Sequence, residues 1–595
     1  MNITRLILIQ IFCLLTIKII SQTIVPGGFV SGFWIAEFDP YYIDGDITLH
    51  ADSSLAIHEG VEIIFRGHYA FNVYGYLNAV GTPEDSIIFT SQDTIAGWHG
   101  LRLFEIVQAL PDSMRIWYCR FEYGKSDESG EKGGGVYAEN STKIDIRHCM
   151  VKNCSADIGG GIYMKNSPIH FNQLTVKDNY SNKGGGMYCH YSDAVIKNSK
   201  VIDNTGAVCG GVYFYHSSAI VRNCVISNNI SHAGGGGVVI HKASHANFMN
   251  CKIEHNMAVG SGGGVAILES SLPVFKYCHI SYNTTQYQEY QAKGAGFYIT
   301  SYDNFPVIIN CFISGNICDE EGGGFYSESK LQLIDCLISN NVASVSQGFG
   351  GGGMYTMFNQ NLVLNCTFSG NQAPQGSTIY GAGSMTEMYN TVIWDDTIQT
   401  PFKIFLHNFM ITPGLKINYS DIQDGTASIS GSGSYNLIWG EGNIWENPKF
   451  DDNYQLLEGS PCIDAGLLDT LALILPSKDL NGNPRIVNDT IDMGCYEYQY
   501  GVFTPLILSE ETIQMTVYPN PAREYLIVGL SGFDGVDLCL SLISLDGKII
   551  YRDKITLTRG SFDYRMDIYK IPPGLYVLQL QNENQNEVRK VIIIK

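Results

Sequence analysis

Apolar residues in the middle of the chain fall at fixed offsets from recurring glycine clusters: Gly133–Gly135, Gly159–Gly161, Gly184–Gly186, Gly210–Gly211, Gly234–Gly237, Gly262–Gly264, Gly294-Ala-Gly296, Gly322–Gly324 and Gly350–Gly353. Between the last glycines of successive clusters the steps are 26, 25, 25, 26, 27, 32, 28 and 29 residues. A column of Cys149, Leu174, Ser199, Cys224, Cys251, Cys278, Cys311, Cys336 and Cys366 runs through the same repeats. Three residues before it stand Ile146, Phe171, Ile196, Val221, Phe248, Phe275, Ile308, Leu333 and Val363, and two after it Val151, Val176, Val201, Ile226, Ile253, Ile280, Ile313, Ile338 and Phe368, all apolar. Short runs of β-branched and aromatic residues alternating with polar ones are strands that send one face into a core. A period of this size marks a solenoid, and glycine triplets exclude helical repeats while suiting the bends of a tight coil. The pattern predicts an all-β body in which each turn stacks on the one before.

Five residues after the cysteine column stand Asn179, Asn204, Asn229, Asn256, Asn283, Asn316, Asn341 and Asn371, with Cys154 in the first repeat. Their amides are expected to bond to one another across the strand spacing of about 4.8 Å as an internal ladder. The cysteines are read as small buried thiols, because side chains in register on parallel strands stand too far apart for an unstrained disulfide. Outward positions follow from strand parity. The second residue after the last glycine is Tyr137, Tyr163, Tyr188, Tyr213, Val239, Ala266, Tyr298, Tyr326 or Tyr355, and the fourth is Glu139, Lys165, His190, Tyr215 or His241 in the first five repeats. Both columns are expected to face solvent. They are the candidate ligand-binding residues, Tyr137, Tyr163, Tyr188, Tyr213, Tyr298, Tyr326, Tyr355, His190 and His241, on which sugar rings or a peptide could stack. A ladder that merely supports the coil is the competing reading.

Units such as Ile-Arg-His-Cys149-Met-Val-Lys-Asn and Gly-Gly-Gly161-Ile-Tyr resemble the right-handed parallel β-helix repeat proteins of bacterial surfaces, a pectate-lyase-like solenoid. The resemblance covers roughly residues 45–500. It implies an N-terminal cap and short opening rungs over 23–128, glycine-marked repeats over 129–395, and closing rungs with a terminal segment over 396–500. In the family the position of Cys495 is commonly alanine, and with Cys462 nearby in sequence a bridge between the two is one expectation.

The ends add export. A basic Arg5, an apolar run from Leu6 to Ile20 and a polar exit read as a signal peptide over 1–22, and no later run would leave a transmembrane segment after its removal. After a linker at 501–515, Tyr518-Pro-Asn-Pro521, Asp546-Gly-Lys548 and Pro573-Gly-Leu-Tyr576 cut alternating strands into a small antiparallel β-sandwich over 516–595. It closely resembles the type IX secretion C-terminal sorting domain. The resemblance implies the type IX machinery as a partner, and an extracellular or outer-membrane-surface location on a Gram-negative bacterium. Asp-Ser/Thr-aliphatic tripeptides at Asp85, Asp93, Asp112, Asp396, Asp469 and Asp489 resemble the O-glycosylation acceptors of bacteria that use this route.

Composition narrows the partners. The formal net charge is -21 with only 16% charged residues, which repels nucleic acid and disfavours acidic polysaccharide unless calcium or a basic patch intervenes. No cofactor is required, and calcium stays open. Asp479-Leu-Asn481-Gly-Asn483 has the wrong spacing for a calcium loop and reads as an ordinary turn. A β-helix lyase needs a basic residue beside a neutralised carboxylate, and a hydrolase needs two facing carboxylates. Asp395-Asp396 would point to opposite strand faces, and Asp319-Glu320-Glu321 sits in a turn where solvation suffices. No catalytic residue or metal site is assigned. The sequence favours a non-catalytic adhesive or glycan-contacting scaffold, with a carbohydrate-active enzyme as the alternative.

Overall fold

The computed structural model describes residues 22–105, 113–126, 128–288, 291–344, 349–395, 402–468 and 475–499, and toward the C-terminus 514–518, 522–531, 537–544, 548–556, 562–581 and 586–594. Most of the leader and linker, Asp112, Asp396, Asp469, Pro519–Pro521 and Asp546-Gly547 lie outside them. Two compact units divide at Gln499/Tyr500.

The first unit is a right-handed parallel β-solenoid. Three sheets of sixteen parallel strands run its length, and a fourth of nine strands accompanies the middle. One turn passes through Met150–Lys152 (first sheet), Ser155–Ile158 (fourth), Ile162–Lys165 (second) and His170–Asn172 (third). Sixteen turns exceed the nine that glycine clusters mark, and fifteen steps of about 4.8 Å make a rod of about 70 Å. The predicted registers hold: Val151, Val176, Val201 and Ile226 pair in sequence, each at most 3% exposed.

The corners explain the polar columns. Three of the bends are turned by one residue in the left-handed region, such as Asn140 (φ 51°), His148 (53°) and Asn153 (55°), where Asn, Asp, His and Gly are enriched. The next residue carries a short polar side chain into the coil. At one corner Ser167 donates to Lys165 O (2.8 Å) and accepts the Ser141 amide of the preceding turn (3.0 Å). At the second, the Cys149 thiol donates to Arg147 O (3.2 Å) and accepts the Cys119 amide (3.4 Å). At the third, Asn179 Nδ2 donates to Val151 O (3.1 Å) and Asn204 Oδ1 (2.9 Å), while its Oδ1 accepts the Cys154 amide (2.9 Å). The thiols therefore satisfy buried backbone groups as well as filling space. All described cysteines are free and, except Cys539, buried.

Each residue of the glycine triplet answers a different demand. Gly159 turns at φ 68°, while a Cβ on Gly160 would stand 2.2 Å from Tyr180 O and one on Gly161 2.7 Å from Gly186 O, both on the next turn. Before Gly210-Gly211, where the first glycine of the triplet is missing, Cys209 takes the left-handed position at φ 68°.

After the last strand, Asn436–Trp439, the closing segment turns back along the outside of the late turns. Leu480, Cys495 and Tyr496 pack on Leu337 and Phe312, and Leu456, Cys462 and Met493 on Val392. That cover explains why the outward position of the first sheet is Lys200 and Lys252 early but Phe312, Leu337 and Val392 late. Of the two states open to Cys462 and Cys495 the structure has them unbridged: the two thiols sit in separate apolar clusters, and Cys462 donates to Asp421 Oδ2 (3.2 Å). Asp479 closes its turn by accepting the amides of Asn481 (3.0 Å), Asn483 (2.8 Å) and Glu497 (3.0 Å).

Arg485 fastens this segment. Fully buried, it donates to Asp492 O (3.0 Å) and Gly494 O (2.7 Å) and pairs with Asp335 (3.3 Å) and Glu497 (3.5 Å). Burial raises the carboxyls around it, Asp492 to about 6, Asp335 to about 7 and Glu497 to about 8. Asn310 and Asn390, at the same corner as Asp335, bond to Lys478 O (3.2 Å) and to the Leu467 backbone.

The second unit is a small antiparallel β-sandwich of a three-stranded and a four-stranded sheet, with Leu526, Val528, Leu540, Leu542, Leu578 and Leu580 in its core.

Candidate functional site

The glycine triplet bends the chain so that the outward faces of the fourth and second sheets form a concave corner, and the tyrosine column fills it. Tyr163, Tyr188 and Tyr213 pack with Ile158 and Val208 from the far side of the bend. Their rings stack in series: Tyr137–Tyr163 at 5.4 Å, Tyr163–Tyr188 at 5.7 Å, Tyr188–Tyr213 at 4.8 Å, then Tyr298–Tyr326 at 5.5 Å and Tyr326–Tyr355 at 5.2 Å. Arg102, Lys132 and Lys293 lie over the rings of Tyr137, Tyr163 and Tyr326.

This corrects the expectation that the column faces solvent. Parity is as predicted, with these side chains outside the coil's core, but Tyr163, Tyr188, Tyr213, Tyr326 and Tyr355 are at most 8% exposed, and only Tyr137 and Tyr298 are half-buried. Strand parity cannot see a second surface folding over the first. The ladder also extends further than the sequence showed, through Tyr380 to Phe405. The Gly376-Ser-Thr-Ile-Tyr380 spacing carries that signal without a glycine triplet.

His190 and His241 keep a partly exposed position, as parity predicts. Buried phenols hold them: Tyr163 Oη and His190 Nδ1 are hydrogen-bonded at 3.2 Å, and Tyr213 Oη and His241 Nδ1 at 2.7 Å. The other ring nitrogen of His241, Nε2, meets Glu269 at 3.5 Å. Burial lowers both imidazoles, so they are neutral near pH 7. Glu139 bonds to Lys165 (2.7 Å) and to Tyr137 Oη (2.6 Å), and these partners lower its carboxyl, keeping it ionised. Beside this row Tyr191, 54% exposed, stacks on His216 at 4.6 Å. Glu321 is not left to solvent: it is partly buried, which raises its carboxyl, and Lys293 lies 3.4 Å away. Asp395 is buried against Lys403 (3.6 Å). Among the described residues no group of three His, Cys, Asp or Glu side chains could hold a metal ion.

The ladder is interrupted once. At Val239 and Ala266 two successive turns lack a ring, and there a cleft of about 340 Å³ opens, lined by Val208, Ala233, Val239, Ala266, Leu268 and Tyr298 among others. It is mainly apolar and is walled at one end by Tyr298, the first ring of the second stack.

Comparison with known families agrees with the architecture. Residues 112–232, 185–347 and 229–398 match the right handed beta helix region, and residues 516–595 match the secretion system C-terminal sorting domain. No curated protein matches the chain. No helix among the described residues is long and apolar enough to cross a membrane. The sorting domain implies export by the type IX machinery to the cell surface or the medium. With its stacked turns and this tail, the chain is a secreted right-handed parallel β-helix repeat protein of the type IX export route.

Proposed function

We propose that this protein is a non-catalytic, glycan-contacting scaffold at the outer surface of a Gram-negative cell, with the broken tyrosine corner as its contact site. The observation that carries the reading is the two-turn gap at Val239 and Ala266. A pyranose ring has an apolar face that stacks on aromatic rings, and sugar rings lying over Val239 and Ala266 would stack against Tyr298 at the end of the gap. The half-exposed Tyr215 and the exposed Tyr191 offer ring faces alongside. A non-catalytic role fits the local chemistry, because Glu139 is held ionised by its partners and the two histidines are fixed by buried phenols.

The test is binding of the full secreted chain to a panel of neutral and acidic polysaccharides, read by retention and by release of unsaturated or reducing ends. Retention without release, lost on Ala266→Trp, is the expected result. Release of ends would overturn the non-catalytic reading in favour of a lyase or hydrolase.

A further inference from the structure

A second feature lies on the fourth sheet, away from the tyrosine corner's gap. Lys125, Ser155, Tyr180 and Thr205 stand in register on successive turns. Ser155 is the short member between two long ones. Two strand steps separate Lys125 from Tyr180, about 10 Å. The result is a notch of about 370 Å³ lined by Lys125, Ser155, Ala156, Asp157, Tyr180 and Asn182.

Several of its groups have unused bonding or stacking capacity within the protein. Tyr180 is 50% exposed and stacks on no other ring among the described residues. Lys125 makes no ion pair among them. The Ser155 hydroxyl, on a side chain 5% exposed, is buried with no hydrogen-bond partner among the described residues of the protein. Asp157 accepts the Gly130 amide (2.7 Å) and Asn182 Nδ2 (2.6 Å), one bond to each oxygen, which orients the carboxylate and leaves it further acceptor capacity.

From this geometry we infer a second saccharide site, a notch that takes one uncharged pyranose unit. The inference rests on the reading of the chain as a glycan-contacting protein. One aromatic face, one ammonium donor, one carboxylate, one amide and one free hydroxyl make a set suited to a ring with an apolar face and a rim of hydroxyls. The charges of Lys125 and Asp157 cancel locally, and the chain as a whole is strongly acidic, so the ligand it suits is neutral. Tyr180 supplies the stacking wall, Asp157 and Asn182 bond to hydroxyls on one edge, and Lys125 and Ser155 to those on the other.

The test uses the full secreted chain carrying Ala266→Trp, which closes the corner cleft, and saturation-transfer NMR with maltotriose, mannotriose, galactotriose and chitotriose as probes. At least one probe is expected to bind, about tenfold more weakly after Tyr180→Ala, and not at all after Ser155→Leu. Ser155→Thr, a smaller change within the strand, should weaken binding with the thermal midpoint unchanged, which separates blocking from misfolding. Binding that vanishes with Ala266→Trp alone, or that ignores the Tyr180 and Ser155 substitutions, overturns the notch and leaves the corner reading standing. A parent chain that binds none of the probes or polysaccharides overturns both.

Discussion

Two sets of buried polar groups hold this solenoid, and they are built differently. The asparagine ladder runs from Asn179 to Asn371 in eight neutral side chains, none more than 1% exposed. Each step repeats the same bonds, as in Asn256 Nδ2 to Ile226 O (2.9 Å) and to Asn283 Oδ1 (3.0 Å). The knot at Arg485 occurs once, with four carboxyl groups around one guanidinium and oxygens of Asp335 and Glu497 left without hydrogen bonds. A repeated neutral network can be satisfied completely because each turn presents the same donors and acceptors to the next. A singular charged one compromises, and desolvation shifts its carboxyls instead. The ladder makes the coil regular, while the knot fixes where the returning segment lands.

Breaking the knot should have the largest effect. Arg485→Met leaves buried carboxylates without their cation, and a loss of roughly 3–5 kcal/mol is expected. Limited proteolysis should then cut within residues 440–499 before the repeats. Intact protection of that stretch would show that Leu480, Cys495 and Tyr496 hold it without the arginine. Breaking the ladder comes next: Asn256→Leu strands the Asn229 amide and side chain and Ile226 O, at a cost of about 2–4 kcal/mol, measurable in urea unfolding.

The two networks should also separate by pH. Carboxyls raised by burial bind protons more readily folded than unfolded, so their stabilisation is complete below about pH 4 and declines as pH rises toward about 8. The knot's own contribution to the thermal midpoint is therefore expected to be larger at pH 5 than at pH 8, opposite in sign to that of the histidines lowered by burial. Glu497→Gln should raise the midpoint at pH 8 and change it little at pH 5, whereas a uniform shift would remove Glu497 from the knot. The asparagines do not titrate, and an Asn256→Leu penalty should be the same at both pH values. The smallest effect is expected from Cys278→Ser. Serine already fills this column at Ser199 with the same bonds, so a change of less than about 1 kcal/mol is anticipated.

How far the sequence spoke follows the same division. Whatever repeats was legible: the strands, the cysteine and asparagine columns, and the aromatic series all recur at one period. The serine ladder of Ser141, Ser167, Ser192, Ser217, Ser244 and Ser271 recurs too, six or seven residues past the last glycine, and its signal was available though unread. What depends on a surface folding over another was not legible. Tyr163 and Tyr213 look outward by parity and are buried because the bend closes over them. Asp335 looks like one more corner residue until Arg485 arrives from 150 positions away. The cleft at Val239 and Ala266 was visible only as two missing tyrosines, and the notch at Ser155 only as a small residue in an unremarked column.

The corner bonds also bear on how such a molecule can change its length. The asparagine of each turn is answered by the turn beside it, so a duplicated turn between Gly161 and Cys251 would find those partners already in place above and below. The described residues of the returning segment bond and pair with Asn310, Asp335 and Asn390, and such a duplication would leave that landing untouched. Solenoid length is thus a quantity that descendants of this chain could gain or lose in units of about 25 residues and about 4.8 Å, without redesign of either end.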